Sequence, residues 1–128
     1  PGEMSRLCGL SVEEIQADRV RVAREHACRW GAVVVLKGAH TVVASPQGMV
    51  RISPFANPGL ASGGTGDVLA GAIGGLVAQG LNPWDAASLA VYLHGLAGEL
   101  VREELGEAGM VASDLLLALP RAIKSLRA

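Results

Sequence analysis

Residues 57–71 read NPGLASGGTGDVLAG, a glycine-rich turn that runs directly into an apolar helical pattern. From Val68 to Val77 the apolar residues recur at helical spacing. The first amides of a helix have no partner within the helix, and the helix dipole places partial positive charge on them. Because Gly64 and Gly66 carry no Cβ atom, an anion can reach the backbone there. The stretch therefore predicts a phosphate-binding turn at a helix N-terminus.

The turn differs from the two common nucleotide-binding loops. The chain has no GxxxxGK[ST] motif, and the GxGxxG pattern fails because Leu69 stands in place of its last glycine. Asp67 lies in the first helical turn, where an acid alone is usually a cap worth about 0.3–1 kcal/mol. Beside an anion hole, a carboxylate is better explained as the base that deprotonates a hydroxyl attacking the phosphate. We predict that Asp67 is catalytic and that the anion hole consists of Gly63, Gly64, Thr65 and Gly66.

A second candidate site follows a predicted strand. Residues 32–37 form an apolar run closed by Lys37, which is typical of a strand covered by helices on both faces, as in a parallel sheet. Open α/β sheets bind ligands at the carboxyl ends of such strands. A lysine here is suited to meet a phosphate, although an edge-strand lysine and a plain turn fit the spacing equally well. The candidate nucleotide-binding residues are Lys37, Gly38, Ala39, His40 and Thr41.

Other candidate residues carry weaker signals. Asn57 is a candidate for a contact from the loop. His40 and His94 are too far apart in sequence to indicate a metal site, so we predict no metal held by protein ligands alone. His94 lies in an apolar helical pattern and is predicted to be a buried, hydrogen-bonded histidine. Asp114 is predicted to cap a helix start.

Residues 11–30 predict one helix. Ser11 and Glu14 form a capping-box pattern at its start, and Gly31 ends it. The predicted apolar stripe consists of Ile15, Val22, Ala23, Ala27 and Trp30. The charged residues predicted to face solvent are Arg19, Arg21, Arg24, Glu25 and Arg29.

The remaining elements define the fold class. Residues 41–52 predict a hairpin with a type I turn, at a sheet edge. Two further helices are predicted, the first capped by Asn82 and ended by Gly106, the second capped by Ser113 and kinked or split at Pro120. A buried strand among helices predicts the α/β class. One central strand cannot make a sheet, so we expect the missing strands from an upstream segment or another chain. The residues predicted to face inward on the last helix are Leu115, Leu116, Leu119, Ile123 and Leu126.

Composition excludes several classes of protein. The chain has 128 residues, 50% hydrophobic and 18% charged, with a formal net charge of -1, which suits one packed domain and excludes disorder. The balanced charge and an aromatic content of 3% argue against nucleic-acid binding. No apolar stretch is long enough for a membrane span, so we read Gly71 and Gly75 as a sign of close helix packing. Cys8 and Cys28 favour reduced thiols in the cytoplasm.

The sequence resembles the NAD(P)H-hydrate dehydratase family of the ribokinase-like superfamily. The resemblance rests on residues 1–7, 36–41, 57–71 and 109–116, which match in order and span the chain. It implies a ribokinase-like three-layer α/β/α fold, of which residues 1–128 would be the C-terminal portion of a single domain. Family members normally have a histidine just before the PGE motif, and it is absent here together with the N-terminal half of the domain. We therefore expect little or no dehydratase activity from this chain alone.

The resemblance also implies an activity and its partners. Family members convert the hydrated cofactors NADHX and NADPHX back to NADH and NADPH, with ADP or ATP as co-substrate and Mg²⁺ accompanying the nucleotide. It implies that residues 37–41 and Gly66 contact the nucleotide and that Asp67 contacts the hydrated substrate. It further implies a homo-oligomer, a tetramer in several members, and a fused or separate NAD(P)H-hydrate epimerase. The alternatives are a small-molecule kinase of the same fold and a non-catalytic nucleotide-binding module.

Overall fold

The computed structural model describes residues 1–127, which fall into two compact units, Pro1–Ser53 and a second unit that begins at Pro54. Elements of the first unit are α1 (Gly2–Cys8), α2 (Val12–Ala17), α3 (Arg19–Trp30), β1 (Val34–Leu36), β2 (Val42–Ala44) and β3 (Val50–Ile52). Those of the second are a 3-10 turn (Pro58–Ala61), α4 (Thr65–Ala78), α5 (Pro83–Leu105) and α6 (Ala112–Arg127).

The single helix predicted for residues 11–30 is wrong, because the chain leaves helical geometry at Asp18. The side chain of Asp18 accepts a hydrogen bond from Arg21 N at 3.1 Å and so caps a new helix, α3. The capping box is confirmed: Ser11 Oγ accepts from Glu14 N at 3.1 Å and Glu14 Oε2 accepts from Ser11 N at 2.7 Å. The bond from the Ser11 amide favours the charged carboxylate and lowers the pKa of Glu14. Gly31 ends α3 as predicted, with a φ of 62°.

The core of the first unit lies between the helices and the sheet. Trp30, predicted to face inward, is 40% exposed at the end of α3, where its ring lies against that of His26. Met4 is buried in α1, a helix that the sequence did not predict. The buried cluster consists of Met4, Ile15, Val22, Ala23, Ala27, Leu36, Val42 and Ala44.

The sheet has the order β1-β2-β3 and is antiparallel throughout the described residues. The predicted hairpin is confirmed, with Val43 opposite Arg51 and a turn closed by Gly48 N donating to Ser45 O at 3.0 Å. Within the described residues β1 pairs antiparallel with β2, and the parallel neighbours expected from an upstream segment or another chain stay a prediction. The connection at residues 37–41 is too short for the crossover that parallel strands need. Of the three β1 residues only Leu36 is buried.

Helices α5 and α6 form the core of the second unit. Asn82 caps α5 through Oδ1, which accepts from Asp85 N at 2.9 Å, and Gly106 ends it, as predicted. The predicted split is wrong, since α6 continues through Pro120, while the alternative, a kink at this proline, stays a prediction. This proline frees the carbonyl of Leu116, an exposed residue whose backbone water can reach. Helix α6 starts at Ala112, before Ser113, and buries Leu115, Ala118 and Ala122, whereas Leu116, Ile123 and Leu126 are exposed.

The glycines of α4 and α5 differ in how closely other residues pack against them. A Cβ atom built at Gly95 of α5 would lie 2.2 Å from Phe55 Cδ2, and one at Gly98 would lie 2.9 Å from Leu60 Cδ2. On α4, by contrast, the described residues place nothing within 4 Å of a Cβ atom at Gly71, Gly74 or Gly75. The close helix packing predicted at Gly71 and Gly75 is therefore wrong for the described part of the chain. Within that part, no helix is both long and apolar enough to cross a membrane.

Gly95→Ala should destabilise the protein that carries this chain. The new methyl group overlaps the Phe55 ring and must displace it, which costs about 1–3 kcal/mol of the free energy of unfolding. Gly74→Ala is the matched control, because its methyl group meets open space in a helix and should stabilise by up to about 1 kcal/mol. Denaturant unfolding of both variants measures the difference. Equal free energies of unfolding would contradict the packing of Phe55 on α5.

Candidate active site

The glycine turn leaves several backbone amides without partners. Gly64 is the N-cap of α4, with a φ of 87°, so the helix begins at Thr65, ahead of Asp67. Thr65 N donates to Ser62 O at 3.3 Å, and Asp67 N donates to Gly64 O at 3.1 Å. The amides of Gly63, Gly64 and Gly66 donate to no other described residue. They are the donors that a bound anion could occupy.

Thr65 holds the turn in place from inside. Its side chain is 4% exposed, and Oγ1 donates to Leu60 O at 2.6 Å and Ser62 O at 2.9 Å. His94 Nε2 donates to Thr65 O at 2.9 Å, which confirms the prediction of a buried, hydrogen-bonded histidine. Because both its amide and its hydroxyl are engaged, Thr65 braces the predicted anion hole instead of offering it a free donor.

Asn57 organises the loop that leads to the turn. Its Oδ1 accepts from Gly59 N at 2.9 Å and caps the 3-10 turn Pro58–Ala61. The side chain is 8% exposed, and its Nδ2 is buried without a partner in the described residues. The contact predicted for Asn57 would therefore use Nδ2, since Oδ1 is already occupied.

The segment before α6 supports the same loop, which the sequence alone did not reveal. Ser62 Oγ donates to Met110 O at 2.9 Å. A Cβ atom at Gly59 would lie 2.9 Å from Met110 Cε, and one at Gly64 would lie 3.2 Å from Ala112 Cβ. The only sequence signal for this role is that residues 109–116 belong to the resembling stretches. Small residues thus let two segments meet behind the turn.

Asp67 does not cap its helix. Side chains cap α2, α3 and α5, and Asp114 Oδ2 accepts from Val111 N at 2.9 Å as predicted. Helix α4 has no side-chain cap, and the exposed Asp67 carboxylate has no hydrogen bond or ion pair with another described residue. The carboxylate is therefore free to accept a proton from a ligand, while the amides before it remain bare.

Lys37 directly follows β1, at the strand end where the sequence placed it. Its Nζ lies 3.7 Å from Glu3 Oε2, and both side chains are largely exposed. An exposed pair of this kind is weak. The ammonium group can therefore exchange Glu3 for a phosphate at small cost.

The backbone after Lys37 takes a strained path that local bonds hold. Gly38 has a φ of 151° and His40 a φ of 54°, both in the left-handed range. Thr41 Oγ1 donates to Gly38 O at 3.1 Å and accepts from Gly38 N at 3.3 Å. His40 Nδ1 donates to Ser53 O at 3.0 Å, so this nitrogen carries the proton. A non-glycine residue with positive φ persists only where its surroundings fix it.

Arg19 was predicted to face solvent, and that prediction is wrong. Nη1 donates to Ala39 O at 2.6 Å and Nη2 donates to Leu36 O at 3.0 Å. Burial lowers the pKa of this guanidinium below its ordinary value. Helical spacing could not reveal these contacts, because Arg19 lies in α3 and its acceptors are 17 and 20 residues further along the chain.

The described residues hold no cluster of three or more histidine, cysteine, aspartate or glutamate side chains that could ligate a metal. Cys8 and Cys28 are both free.

Comparison with known proteins identifies the family. A family model described as NAD(P)H-hydrate dehydratase matches residues 1–121. The chain belongs to the NAD(P)H-hydrate dehydratase family. It is 50% identical over 126 residues to a bifunctional NAD(P)H-hydrate repair enzyme of Moorella thermoacetica, covering 98% of this chain and 24% of that protein. It is 42% identical over 124 residues to an ADP-dependent (S)-NAD(P)H-hydrate dehydratase of Bacillus subtilis, covering 97% of this chain and 45% of that one.

A solved structure of the same family confirms the fold class. The ADP/ATP-dependent NAD(P)H-hydrate dehydratase of Bacillus subtilis, co-crystallised with ATP and Mg²⁺, matches with a TM-score of 0.94 at 42% identity. The match covers 98% of this chain and 45% of that chain. The predicted ribokinase-like α/β class is therefore confirmed. The chain spans 24% of the length of the first of these relatives and 45% of the second.

Thr65→Val should loosen the turn while keeping the shape of the side chain. The carbonyl oxygens of Leu60 and Ser62 lose the hydroxyl donor, which costs about 1–3 kcal/mol of the free energy of unfolding. Thr65→Ser keeps the hydroxyl and is the matched control, with a smaller loss. Denaturant unfolding of the protein that carries this chain compares the two. If valine proves as stable as serine here, Thr65 does not brace the turn.

Proposed function

We propose that the protein containing this chain dehydrates NADHX and NADPHX to NADH and NADPH, with ADP as the phosphoryl donor and AMP and phosphate as products. Family membership supports this activity, as do relatives that are named ADP-dependent (S)-NAD(P)H-hydrate dehydratases. The observation that carries the proposal is the turn at residues 63–67, where bare glycine amides precede a carboxylate that caps nothing.

The proposed chemistry begins at Asp67. Its carboxylate accepts the proton of the substrate hydroxyl, whose oxygen then bonds to the terminal phosphorus of ADP as the bond to the AMP oxygen breaks. The amides of Gly63, Gly64 and Gly66 donate hydrogen bonds to the phosphoryl oxygens and stabilise their negative charge during the transfer. The C–O bond of the resulting phosphate ester then breaks, inorganic phosphate leaves with the bonding electrons, and loss of a proton from the neighbouring carbon restores the double bond. Thr65 keeps the donors in position.

Nucleotide binding is proposed for Lys37, Gly38, Ala39, His40, Thr41 and Gly66. The strained, hydrogen-bonded backbone at residues 37–41 supports a preformed contact surface, and Lys37 supplies a cation. Mg²⁺ would screen the phosphate charge when bound with the nucleotide. It usually keeps several waters and needs few protein ligands. The related structure with ATP and Mg²⁺ supports this part of the proposal.

The rest of the protein is proposed on the same grounds. Residues 1–128 would form the C-terminal portion of one ribokinase-like domain, and the isolated chain would have little or no activity. The bifunctional relatives support a fused or separate NAD(P)H-hydrate epimerase as partner. We also propose a homo-oligomer, with a tetramer as one form, and a cytoplasmic location.

Product analysis tests the activity. The protein that carries this chain is incubated with NADPHX and with ADP or ATP in parallel, and NADPH absorbance and free phosphate are recorded. Equal amounts of NADPH and phosphate would support the dehydratase. A stable phosphorylated alcohol without NADPH would instead show a small-molecule kinase. Nucleotide binding with no turnover of NADPHX would point to a binding module.

Asp67→Asn should lower kcat by about 10²–10⁴-fold, because the amide cannot accept the proton. The dissociation constant for ADP should stay nearly unchanged, since the glycine amides remain. Asp114→Asn is the matched control: it alters a carboxylate that caps a helix, and its kcat should equal that of the unmodified protein. Steady-state kinetics and calorimetric ADP titrations measure both constants. Undiminished turnover by Asp67→Asn would leave no catalytic role for this residue.

ADP should shift the amide resonances of Gly63, Gly64 and Gly66 more than that of Thr65. The glycine amides are unpaired in the described residues, whereas the Thr65 amide already donates to Ser62 O. A ¹⁵N-labelled sample of the protein is titrated with ADP, and adenosine serves as the control without phosphate. Equal shifts with adenosine, or none at residues 63–66 with ADP, would place the phosphates elsewhere.

A further inference from the structure

Arg19 is joined to the loop at residues 36–41 at two points. Its guanidinium donates from Nη1 to Ala39 O at 2.6 Å and from Nη2 to Leu36 O at 3.0 Å. These carbonyls lie on either side of Lys37 and Gly38, so one rigid, planar group fixes the distance across the start of the loop. Among the described residues, Arg19 is the only residue of α3 whose side chain forms a hydrogen bond with this loop.

The position is unfavourable for a cation that serves only stability. Arg19 is the first residue of α3, where the helix dipole disfavours positive charge. Burial lowers its pKa, and it forms no ion pair with any described carboxylate. Its Nε is also buried without a described partner. Residues that break local rules in this way are often placed for function.

The loop is shaped around this guanidinium. A Cβ atom at Gly38 would lie 2.8 Å from Arg19 Nη2 and 3.1 Å from Cζ, so a larger residue would push the side chain away. The strained φ of 54° at His40 immediately follows the carbonyl of Ala39 that Arg19 holds. Strain of this kind persists only when neighbouring contacts fix it. The break at Asp18, which starts a new helix at Arg19, puts the side chain within reach.

We propose that Arg19 is a positioning residue that holds residues 36–41 in the shape that binds the nucleotide. The proposal rests on the proposed function, because it takes this loop to be the nucleotide contact. Without the two bonds the loop would sample other conformations, and the apparent dissociation constant would rise as the binding-competent fraction falls. Arg19 touches no reacting atom in this account, so kcat at saturating nucleotide should be retained.

Paired binding and kinetic measurements on Arg19→Ala test the proposal in the full protein that carries this chain. The dissociation constant for ADP should rise at least about tenfold, as expected if the competent fraction falls to about a tenth. The kcat at saturating ADP should stay within about twofold. Arg24→Ala is the matched control, because it removes the same charge from an exposed position on α3. It should leave both constants unchanged.

Hydrogen exchange separates positioning from general destabilisation. In Arg19→Ala without nucleotide, amides at residues 37–41 should exchange faster while those of α3 and β2 stay protected. Arg19→Lys, whose compact ammonium cannot bridge both carbonyls in the same fork, should show an intermediate dissociation constant. If alanine prevents folding, the lysine variant decides, and ADP affinity equal to that of the unmodified protein would overturn the proposal.

These measurements distinguish a failure of the Arg19 proposal from a failure of the proposed function. Unmodified protein that binds ADP, with a folded Arg19→Ala variant of equal affinity, overturns the role of Arg19 and leaves the proposed function standing. Unmodified protein that binds no ADP overturns the proposed function and the nucleotide role of Arg19 together. Equal loss of kcat and affinity, with faster exchange throughout the first unit, would show a merely structural brace and overturn the positioning role.

Discussion

A folded chain seldom leaves backbone amides unpaired, and the turn at Gly63, Gly64 and Gly66 depends on doing so. Gly63 and Gly64 are exposed and Gly66 is half-buried, and solvent alone would not hold the three amides in one arrangement. The order comes from the carbonyl side. Thr65 Oγ1 binds the carbonyls of Leu60 and Ser62, and His94 binds that of Thr65. The acceptors are fixed internally, whereas the glycine donors have no partner among the described residues.

The apolar core of the second unit supports that arrangement through small residues. Gly95 and Gly98 let Phe55 and Leu60 lie directly on α5, and Gly59 gives room to the thioether of Met110. Each contact removes freedom from the loop between Phe55 and the turn without using a polar group that the site needs. The position of the turn is therefore set by packing, whereas its chemistry is set by the backbone. This division explains why so few charged side chains are required near a predicted phosphate site.

Sequence reasoning succeeded where structure is decided within a few residues. The Ser11–Glu14 box, the Asn82 cap and the turn at residues 45–48 each depend on neighbours along the chain, and all were predicted. It failed where distant residues decide. Charge pattern alone assigned Arg19 to solvent, because its acceptors belong to another element. Leu116 was predicted to face inward, yet it is exposed, and Ala118 and Ala122 of α6 are buried instead. The roles of the site residues remain predictions from the glycine turn and the family resemblance.

The two candidate segments differ in how their polar groups are used. At residues 36–41 the polar groups are largely used internally: Arg19 holds carbonyls, Thr41 bridges Gly38, and His40 is tied to Ser53. Such a loop offers a fixed shape more than free donors. In the glycine turn the amides of Gly63, Gly64 and Gly66 have no partner among the described residues, and the bonds of Thr65 hold the turn in place. Among the described residues, the first candidate segment thus has most of its polar groups bonded within the protein, whereas the second keeps the amides of Gly63, Gly64 and Gly66 without partners.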